Sequence, residues 1–231
     1  MKMNPTAQND LKRAVGEKAA QLVEDGMLVG LGTGSTASFF IESLVKRVQG
    51  GLSITAVSSS IRSAEMARKG GIEVLDINQI TSIDLTVDGA DELDPKNRMI
   101  KGGGGAHVRE KIVASSSKDI VIILDESKLV DVLGVFGLPV EILPFGYSAT
   151  IHKLEILGYK GELRMKDGKF YVTDNGNYIY DVHAPNLFPN PEKDHERIID
   201  IPGVVETGFF FNLPVRVLIG YQNGTIEWKK H

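Results

Sequence analysis

A run of three carboxylates is the densest group of possible catalytic residues in the sequence. Asp88, Asp91 and Glu92 stand in the run Asp-Gly-Ala-Asp-Glu, directly after a short apolar stretch. Carboxylates can bind a hard cation, hydrogen-bond to sugar hydroxyls or move protons. They can also belong to an Asp-rich turn that caps a helix and takes no part in chemistry. The run itself leaves these uses open.

A second group combines a lysine, a glycine run and a predicted helix. Lys101 precedes the four glycines Gly102–Gly105, and a helical stretch begins near Ala106. Four consecutive glycines cost backbone entropy on folding, so close approach to a ligand explains them better than a plain loop does. Lys101 can bring a positive charge to an oxyanion. Glu110 falls one turn into the helix, where a carboxylate could remove a proton next to a carbonyl, or could equally be a solvated residue paired with a base.

A third group is the loop Gly30–Ala37, which joins a predicted strand to a predicted helix. Its glycines let backbone N–H groups approach an anion, and the hydroxyls of Thr33, Ser35 and Thr36 add donors. The start of a helix favours negative charge, so this pattern predicts phosphate or sugar binding. A tight turn in which Ser or Thr caps the helix is the simpler alternative.

The same loop also matches a dinucleotide-binding fingerprint, with glycines at 32 and 34 and alanine at 37. That fingerprint requires an acidic residue about 20 residues later, to bind the ribose hydroxyls. Ser58–Ser60 stand near that place instead, although Arg62 could accept a 2′-phosphate. A nicotinamide cofactor is therefore disfavoured but not eliminated. The spacing of a P-loop, Gly-x-x-x-x-Gly-Lys-Ser/Thr, does not occur.

Two further candidates are weaker. Lys128 follows the fifth apolar strand and falls on the predicted ligand side of the sheet, although a lone lysine is usually a solvated surface residue. His107 and Glu110 are three residues apart on one predicted helix, which makes a two-ligand metal site conceivable. No third ligand is evident in the sequence.

Composition excludes several classes of protein. The chain has 231 residues and a formal net charge of -4, without the basic excess that is typical of nucleic-acid binding. It has no cysteine, which excludes disulfides, thiolate catalysis and cysteine-based metal sites. The first ten residues lack an apolar signal core, and no apolar run reaches about 18 residues. We therefore expect a cytoplasmic protein that binds neither nucleic acid nor membrane.

Short apolar strands alternate with helices over the first part of the chain. This alternation predicts an α/β fold with an open, mainly parallel sheet and helices on both faces. The loops after Leu31, Val57, Val87 and Leu124 should then converge at the carboxyl edge of the sheet, where ligands bind. We predict strands at 27–31, 54–57, 72–75, 85–87 and 120–124, and helices at 6–25, 35–48, 60–69 and 106–116.

The pattern changes after about Gly134. Asp167-Gly168 and Asn175-Gly176 are strong hairpin signals, and the strands and helices around them predict a small α+β lobe. Two final strands, 215–221 and 225–228, can return to the main sheet.

In their order and spacing, these motifs resemble those of the ribose-5-phosphate isomerase A family. The resemblance covers nearly the whole chain, and the pair formed by Asp-Gly-Ala-Asp-Glu and Lys-Gly-Gly-Gly-Gly-Ala is specific to it. One small departure is His107, where the family often has an apolar residue. Further matching segments are 14–16, 138–141, 172–177 and 201–205.

The resemblance implies a Rossmann-like main domain, expected at 1–134 and 206–231, and a small ferredoxin-like domain at 135–205. It implies interconversion of ribose 5-phosphate and ribulose 5-phosphate through a cis-enediolate, without cofactor or metal, in a homodimer or homotetramer. A sugar-phosphate sensor, or another isomerase or deaminase acting on sugar phosphates, is the rival interpretation.

The resemblance also implies roles for individual residues. Glu110 matches the catalytic base, and Asp88 and Lys101 match two further catalytic positions. The substrate-binding positions are Thr33, Gly34, Ser35, Thr36, Asp88, Gly89, Ala90, Asp91, Lys101, Gly102, Gly103, Gly104 and Lys128.

Overall fold

The structure, a computed structural model, describes residues 5–230, except for the side chains at positions 5 and 7. The helices are α1 (Pro5–Ala20), α2 (Ser35–Gln49), α3 (Ile61–Lys69), α4 (His107–Ser115), α5 (Tyr147–Ile156) and α6 (Pro191–Ile199). The strands are β1 (Leu28–Leu31), β2 (Thr55–Ser58), β3 (Glu73–Val74), β4 (Ile83–Asp88), β5 (Glu92–Leu93), β6 (Met99–Ile100), β7 (Ser117–Asp125), β8 (Leu138–Ile142), β9 (Gly161–Leu163), β10 (Met165–Lys166), β11 (Lys169–Phe170), β12 (Tyr178–Val182), β13 (Val204–Thr207), β14 (Phe209–Phe210), β15 (Val215–Gly220) and β16 (Ile226–Trp228).

The described chain forms two compact units. The first comprises residues 5–90, 109–128 and 213–230, and the second comprises residues 91–108 and 129–212. The domain limits expected from the sequence assign 91–108, 129–134 and 206–212 to the first part instead, and they also include residues 1–4 and 231, which lie outside the described residues. Those limits stay a prediction about which parts of the chain fold independently.

The first unit contains a seven-stranded sheet in the order β16-β15-β7-β4-β1-β2-β3. Every neighbouring pair is parallel except β15 and β16, which form an antiparallel hairpin. The central strands are nearly continuous apolar runs because both of their faces are buried. This confirms the predicted α/β class and the return of the last two strands to the main sheet.

Helices cover both faces of this sheet. On one face, Val29 and Leu31 of β1 pack with Phe40 and Ile41 of α2 and with Val15 of α1. On the other face, Val113 of α4 packs with apolar residues of β2 and β4. A Cβ atom at position 30 would lie only 2.9 Å from the Val113 side chain, so α4 lies close against β1.

The carboxyl ends of the central strands are aligned. Leu31 pairs with Val87 on one side and with Ser58 on the other, and Asp88 pairs with Ile122. The loops after β1, β2 and β4 therefore leave the sheet at one edge, as the sequence predicts. β7 continues for three residues beyond this level and ends at Asp125.

The second unit contains a four-stranded antiparallel sheet in the order β13-β8-β12-β9. α5 connects β8 to β9, and α6 connects β12 to β13. Numbered within this sheet alone, the strand order is 4-1-3-2 with a β-α-β-β-α-β succession, which is the ferredoxin-like arrangement. Leu154 of α5 and Ile198 of α6 are fully buried in one core with Val140, Ile142 and Tyr180 of the sheet.

Some local predictions differ from the structure. The first helix ends at Ala20 instead of residue 25, because the last turn tightens into hydrogen bonds between residues three apart. Asp167-Gly168 does form a hairpin, between β10 and β11, whereas the strands beside Asn175-Gly176 meet at a single isolated bridge. The sheet β14-β6-β5 was not predicted.

No helix within residues 5–230 is long and apolar enough to cross a membrane.

Candidate active site

The loop after β1 leads into α2 without a side-chain cap. Gly34 is the residue that precedes the helix; its φ of +112° is in the region that favours glycine. The alternative in which Ser or Thr caps this helix is therefore wrong. Ser35 and Thr36 occupy the first turn instead, so two hydroxyls stand beside the first N–H groups of α2. This combination suits an anion.

Asp88 ends β4 and is hydrogen-bonded to the same loop. Its Oδ1 accepts hydrogen bonds from the N–H groups of Thr33, at 3.0 Å, and Gly89, at 2.8 Å. A Cβ atom at Gly32 would lie 2.1 Å from this oxygen, so only glycine allows the approach. Ala90, the last residue of the loop after β4 in this unit, is partly buried. The carboxylate of Asp88 is thus fixed at the carboxyl edge of the sheet.

The side chain of Thr33 is fixed by Ser59, which no motif in the sequence assigns to the site. Thr33 Oγ1 and Ser59 Oγ are 2.8 Å apart, and Ser59 Oγ donates to the carbonyl of Leu31 at 3.1 Å. Ser59 is fully buried. The middle serine of Ser58–Ser60 therefore supports the glycine loop and does not replace the acidic residue of a dinucleotide site.

A lysine of α1 also contacts the loop. The Nζ atom of Lys12 donates a hydrogen bond to Ser35 Oγ at 3.1 Å. This places a positive charge beside the start of α2. Lys12 could not be identified from the sequence, because a single lysine on the polar side of a helix carries no distinctive spacing.

Glu110 and Lys128 complete the candidate residues of the first unit. Glu110 lies in the first turn of α4 and is only 4% exposed, so its interpretation as a solvated helix residue is wrong. Lys128 ends the short 3-10 helix Glu126–Lys128, directly after β7, and is partly exposed. A buried carboxylate at the start of a helix is suited to proton transfer.

In the second unit, Lys101 follows β6 and is buried, at 3% exposure. Its Nζ atom lies 5.4 Å from the centre of the Phe210 ring, within the range of a cation–π contact. Its backbone N–H donates to the carbonyl of Gly208 at 2.9 Å. The lysine is therefore held at both its backbone and its ammonium group.

The glycine run after Lys101 folds tightly against Asp91. Gly102 and Gly105 have φ values of +105° and +77°, and the Gly105 N–H donates to the Gly102 carbonyl at 2.9 Å. The Gly103 N–H donates to Asp91 Oδ2 at 2.7 Å, and a Cβ atom at position 103 would lie 2.6 Å from Asp91 Oδ1. Gly104 is exposed next to it. Close approach of the backbone to the Asp91 side chain requires glycine at position 103, and the predicted approach to a ligand stays a prediction.

Glu92, the third carboxylate of the acidic run, serves a different purpose. It is buried and accepts hydrogen bonds from the N–H groups of Gly134, at 2.6 Å, and Phe136. The acidic run is therefore divided between separate tasks.

Among residues 5–230, no three His, Cys, Asp or Glu side chains are grouped so that they could hold a metal ion. His107 is buried with Nε2 at 3.3 Å from the Glu206 carbonyl oxygen.

The chain matches a protein-family model over most of its length. The family model described as ribose 5-phosphate isomerase A, or phosphoriboisomerase A, matches residues 55–224. Among curated relatives, ribose-5-phosphate isomerase A of Protochlamydia amoebophila is 52% identical over 214 residues, which cover 92% of either chain. The corresponding protein of Bacillus mycoides is 49% identical over 219 residues, 95% of this chain and 99% of the relative.

Solved structures agree with this match. Ribose 5-phosphate isomerase of Plasmodium falciparum is 38% identical, with a TM-score of 0.92 over 96% of this chain and 99% of the other. A D-ribose-5-phosphate isomerase in complex with phospho-erythronic acid is 35% identical, with a TM-score of 0.91 over 99% of this chain and 100% of the other.

Proposed function

This chain belongs to the ribose-5-phosphate isomerase A family, and we propose that Glu110, Asp88 and Lys101 carry out its isomerisation. The enzyme interconverts the aldose ribose 5-phosphate and the ketose ribulose 5-phosphate by proton transfer through a cis-enediolate. The observation that carries the assignment of residues is the buried carboxylate of Glu110 in the first turn of α4, directly after the glycine loop.

Glu110 is the base in this proposal. In the open-chain aldose, the carbonyl at C1 acidifies the C–H bond at C2. Glu110 removes the C2 proton, which gives the enediolate, and returns it to C1, which gives the ketose. One carboxylate suffices for both steps because the proton leaves and returns on the same face of a planar intermediate. Hydrogen moves as a proton within one molecule, so the reaction needs no redox partner.

Lys101 stabilises the oxygen that becomes negative in the enediolate. A buried ammonium acts on developing charge more strongly than an exposed one, because less water screens it. Its cation–π contact with Phe210 supports a charged side chain at this buried position. Asp88 moves a proton between the oxygens on C1 and C2 and assists opening of the sugar ring.

The phosphate and hydroxyl contacts come from the loop after β1 and from Lys128. The uncapped start of α2, with Ser35 and Thr36 in its first turn, suits the phosphate. We add Lys12 to the phosphate-binding residues, since its ammonium group donates a hydrogen bond to Ser35. Asp91 and Gly102–Gly104 bind the sugar part of the substrate in this scheme.

The related complex with phospho-erythronic acid fits this chemistry. That acid has a planar carboxylate with two oxygens on one carbon, joined to a short hydroxylated chain with a phosphate. It therefore presents charge and oxygen atoms much as a cis-enediolate does, so it is a suitable unreactive ligand for this enzyme.

The test is conversion of ribose 5-phosphate by the purified protein with EDTA present and no nucleotide added. Because a carboxylate and an ammonium of the chain supply the chemistry, we expect the same kcat with and without the chelator. Complete loss in EDTA, reversed by a divalent ion, would contradict this mechanism. Binding of phospho-erythronic acid without any turnover of ribose 5-phosphate would point to a sensor.

We propose further that the enzyme is a homodimer or homotetramer. Exposed large apolar side chains of the second unit support this, because their burial against another copy of the chain would be favourable. Phe145 is 94% exposed, Ile156 70% and Val172 55%. Light scattering on the purified protein should give two or four times the mass of one chain, and the mass of a single chain would contradict the proposal.

We also propose that the enzyme works in the cytoplasm. A chain without cysteine is compatible with a reducing compartment, because it needs no disulfide. Fractionation of the host cell with an antibody against the protein tests this, and recovery outside the cytoplasm would contradict it.

A further inference from the structure

Arg164 joins the small sheet of the second unit to the glycine run. Its Nε and one terminal nitrogen donate to the two oxygens of Asp181, at 2.8 and 2.6 Å. The other terminal nitrogen donates to the carbonyls of Gly102, at 2.8 Å, and Gly103, at 3.2 Å. One planar guanidinium thus links a carboxylate on β12 to two consecutive peptide groups.

These contacts determine where the loop's N–H groups point. In a trans peptide, the N–H points away from the carbonyl of the same peptide group. In the peptide between Gly102 and Gly103, the carbonyl accepts a hydrogen bond from Arg164 and the N–H donates one to Asp91. In the peptide between Gly103 and Gly104, the carbonyl also accepts a hydrogen bond from Arg164. The Gly104 N–H therefore points to the side away from the guanidinium.

Tyr171 supports the same loop from the side of Arg164. Its hydroxyl lies 3.4 Å from the Gly104 carbonyl oxygen, and a Cβ atom at Gly105 would lie 2.4 Å from that hydroxyl. Burial raises the pKa of the Tyr171 phenol above its ordinary value, so the hydroxyl remains protonated and can donate. The Arg164 guanidinium lies 5.9 Å from the ring centre.

We propose that Arg164 is a positioning residue, which holds the Gly102–Gly104 backbone so that the Gly104 N–H, on the side opposite the guanidinium, is preorganised for substrate. Without such contacts, a glycine run is the most flexible kind of backbone. Every alternative conformation of the loop lowers the fraction of enzyme molecules that are ready to react. Lysine cannot replace arginine here, because an ammonium cannot hold a carboxylate in two-point contact and also reach two carbonyls. This inference rests on the proposed function of the glycine run.

The test compares Arg164→Lys and Arg164→Ala with Arg216→Ala. Arg216 is a matched control because it also forms a two-point pair with an aspartate, Asp119, but on exposed surface of the first unit. We expect kcat to fall about 10- to 100-fold in both Arg164 variants, with a smaller change in KM. The melting temperature of Arg164→Lys should stay close to that of the control, whose kcat should be unchanged.

Chemical rescue separates positioning from a general structural role. Added guanidinium, at concentrations that do not denature the protein, should raise the kcat of Arg164→Ala and leave that of Arg216→Ala unchanged. A kcat of Arg164→Lys within threefold of wild type, or no rescue of a folded Arg164→Ala, would overturn the inference. An inactive wild-type enzyme in the same assay would instead contradict the proposed function.

Discussion

Replacing Glu110 by glutamine should abolish isomerisation of ribose 5-phosphate while leaving the binding site intact. Glutamine has nearly the same shape but cannot accept a proton, so the fold should tolerate the change. We expect kcat to fall by about 10²- to 10⁴-fold, the usual contribution of a positioned base. Initial rates of ketose formation measure this, and calorimetry with phospho-erythronic acid measures binding.

Isotope exchange sharpens the test of Glu110. In D₂O, the wild-type enzyme should exchange the proton at C2 of ribose 5-phosphate with solvent, and the variant should not. Glu65→Gln is the matched control, because Glu65 is an exposed residue of α3. A Glu110→Gln enzyme with kcat within tenfold of wild type would keep the isomerase function and remove Glu110 as its base.

Replacing Lys101 by methionine should lower kcat by about 10²- to 10³-fold, as loss of an oxyanion partner does in other enzymes. Methionine fills the volume of the lysine stem next to Phe210 but carries no charge. Because the charge acts mainly on the enediolate, KM for ribose 5-phosphate should change much less than kcat. Steady-state kinetics over a range of substrate concentrations separate the two parameters.

Lys96→Met is the control for this experiment, since Lys96 is an exposed residue of the same unit. Circular dichroism should show that both variants are folded. If Lys101→Met retained kcat within threefold of wild type, the enediolate would have to be stabilised by other donors, and the role proposed for Lys101 would be wrong.

Most of the fold could be predicted because its signals are local. β1, β4 and β7 are short apolar runs bounded by polar or glycine residues, which is typical of buried parallel strands. β6 could not be found in this way. It has two residues and pairs on one side with the equally short β5, while its partner on the other side, Phe210, lies more than 100 positions further along the chain. Only the folded chain shows that pairing.

The candidate site divides in the same manner. Glu110, Asp88 and Lys101 stand in motifs whose composition already indicates chemistry. Lys12 and Arg164 do not, because a single basic residue in a helix or hairpin has many ordinary explanations. Their contacts with Ser35 and with the glycine run depend on where distant segments lie after folding. The variants described above test the roles proposed for Glu110, Lys101 and Arg164.

The hydrogen bonds of Glu92 have a consequence for recognising inactive descendants of such an enzyme. Glu92 holds the backbone of residues 134–136, so a descendant that merely retained its shape would still be under selection to keep this glutamate. Selection would no longer keep Glu110 once catalytic turnover ceased to matter. Retention of Glu92 is therefore a record of inherited architecture, and under the proposed mechanism the residue at position 110 distinguishes a working isomerase from a protein that has drifted to binding alone.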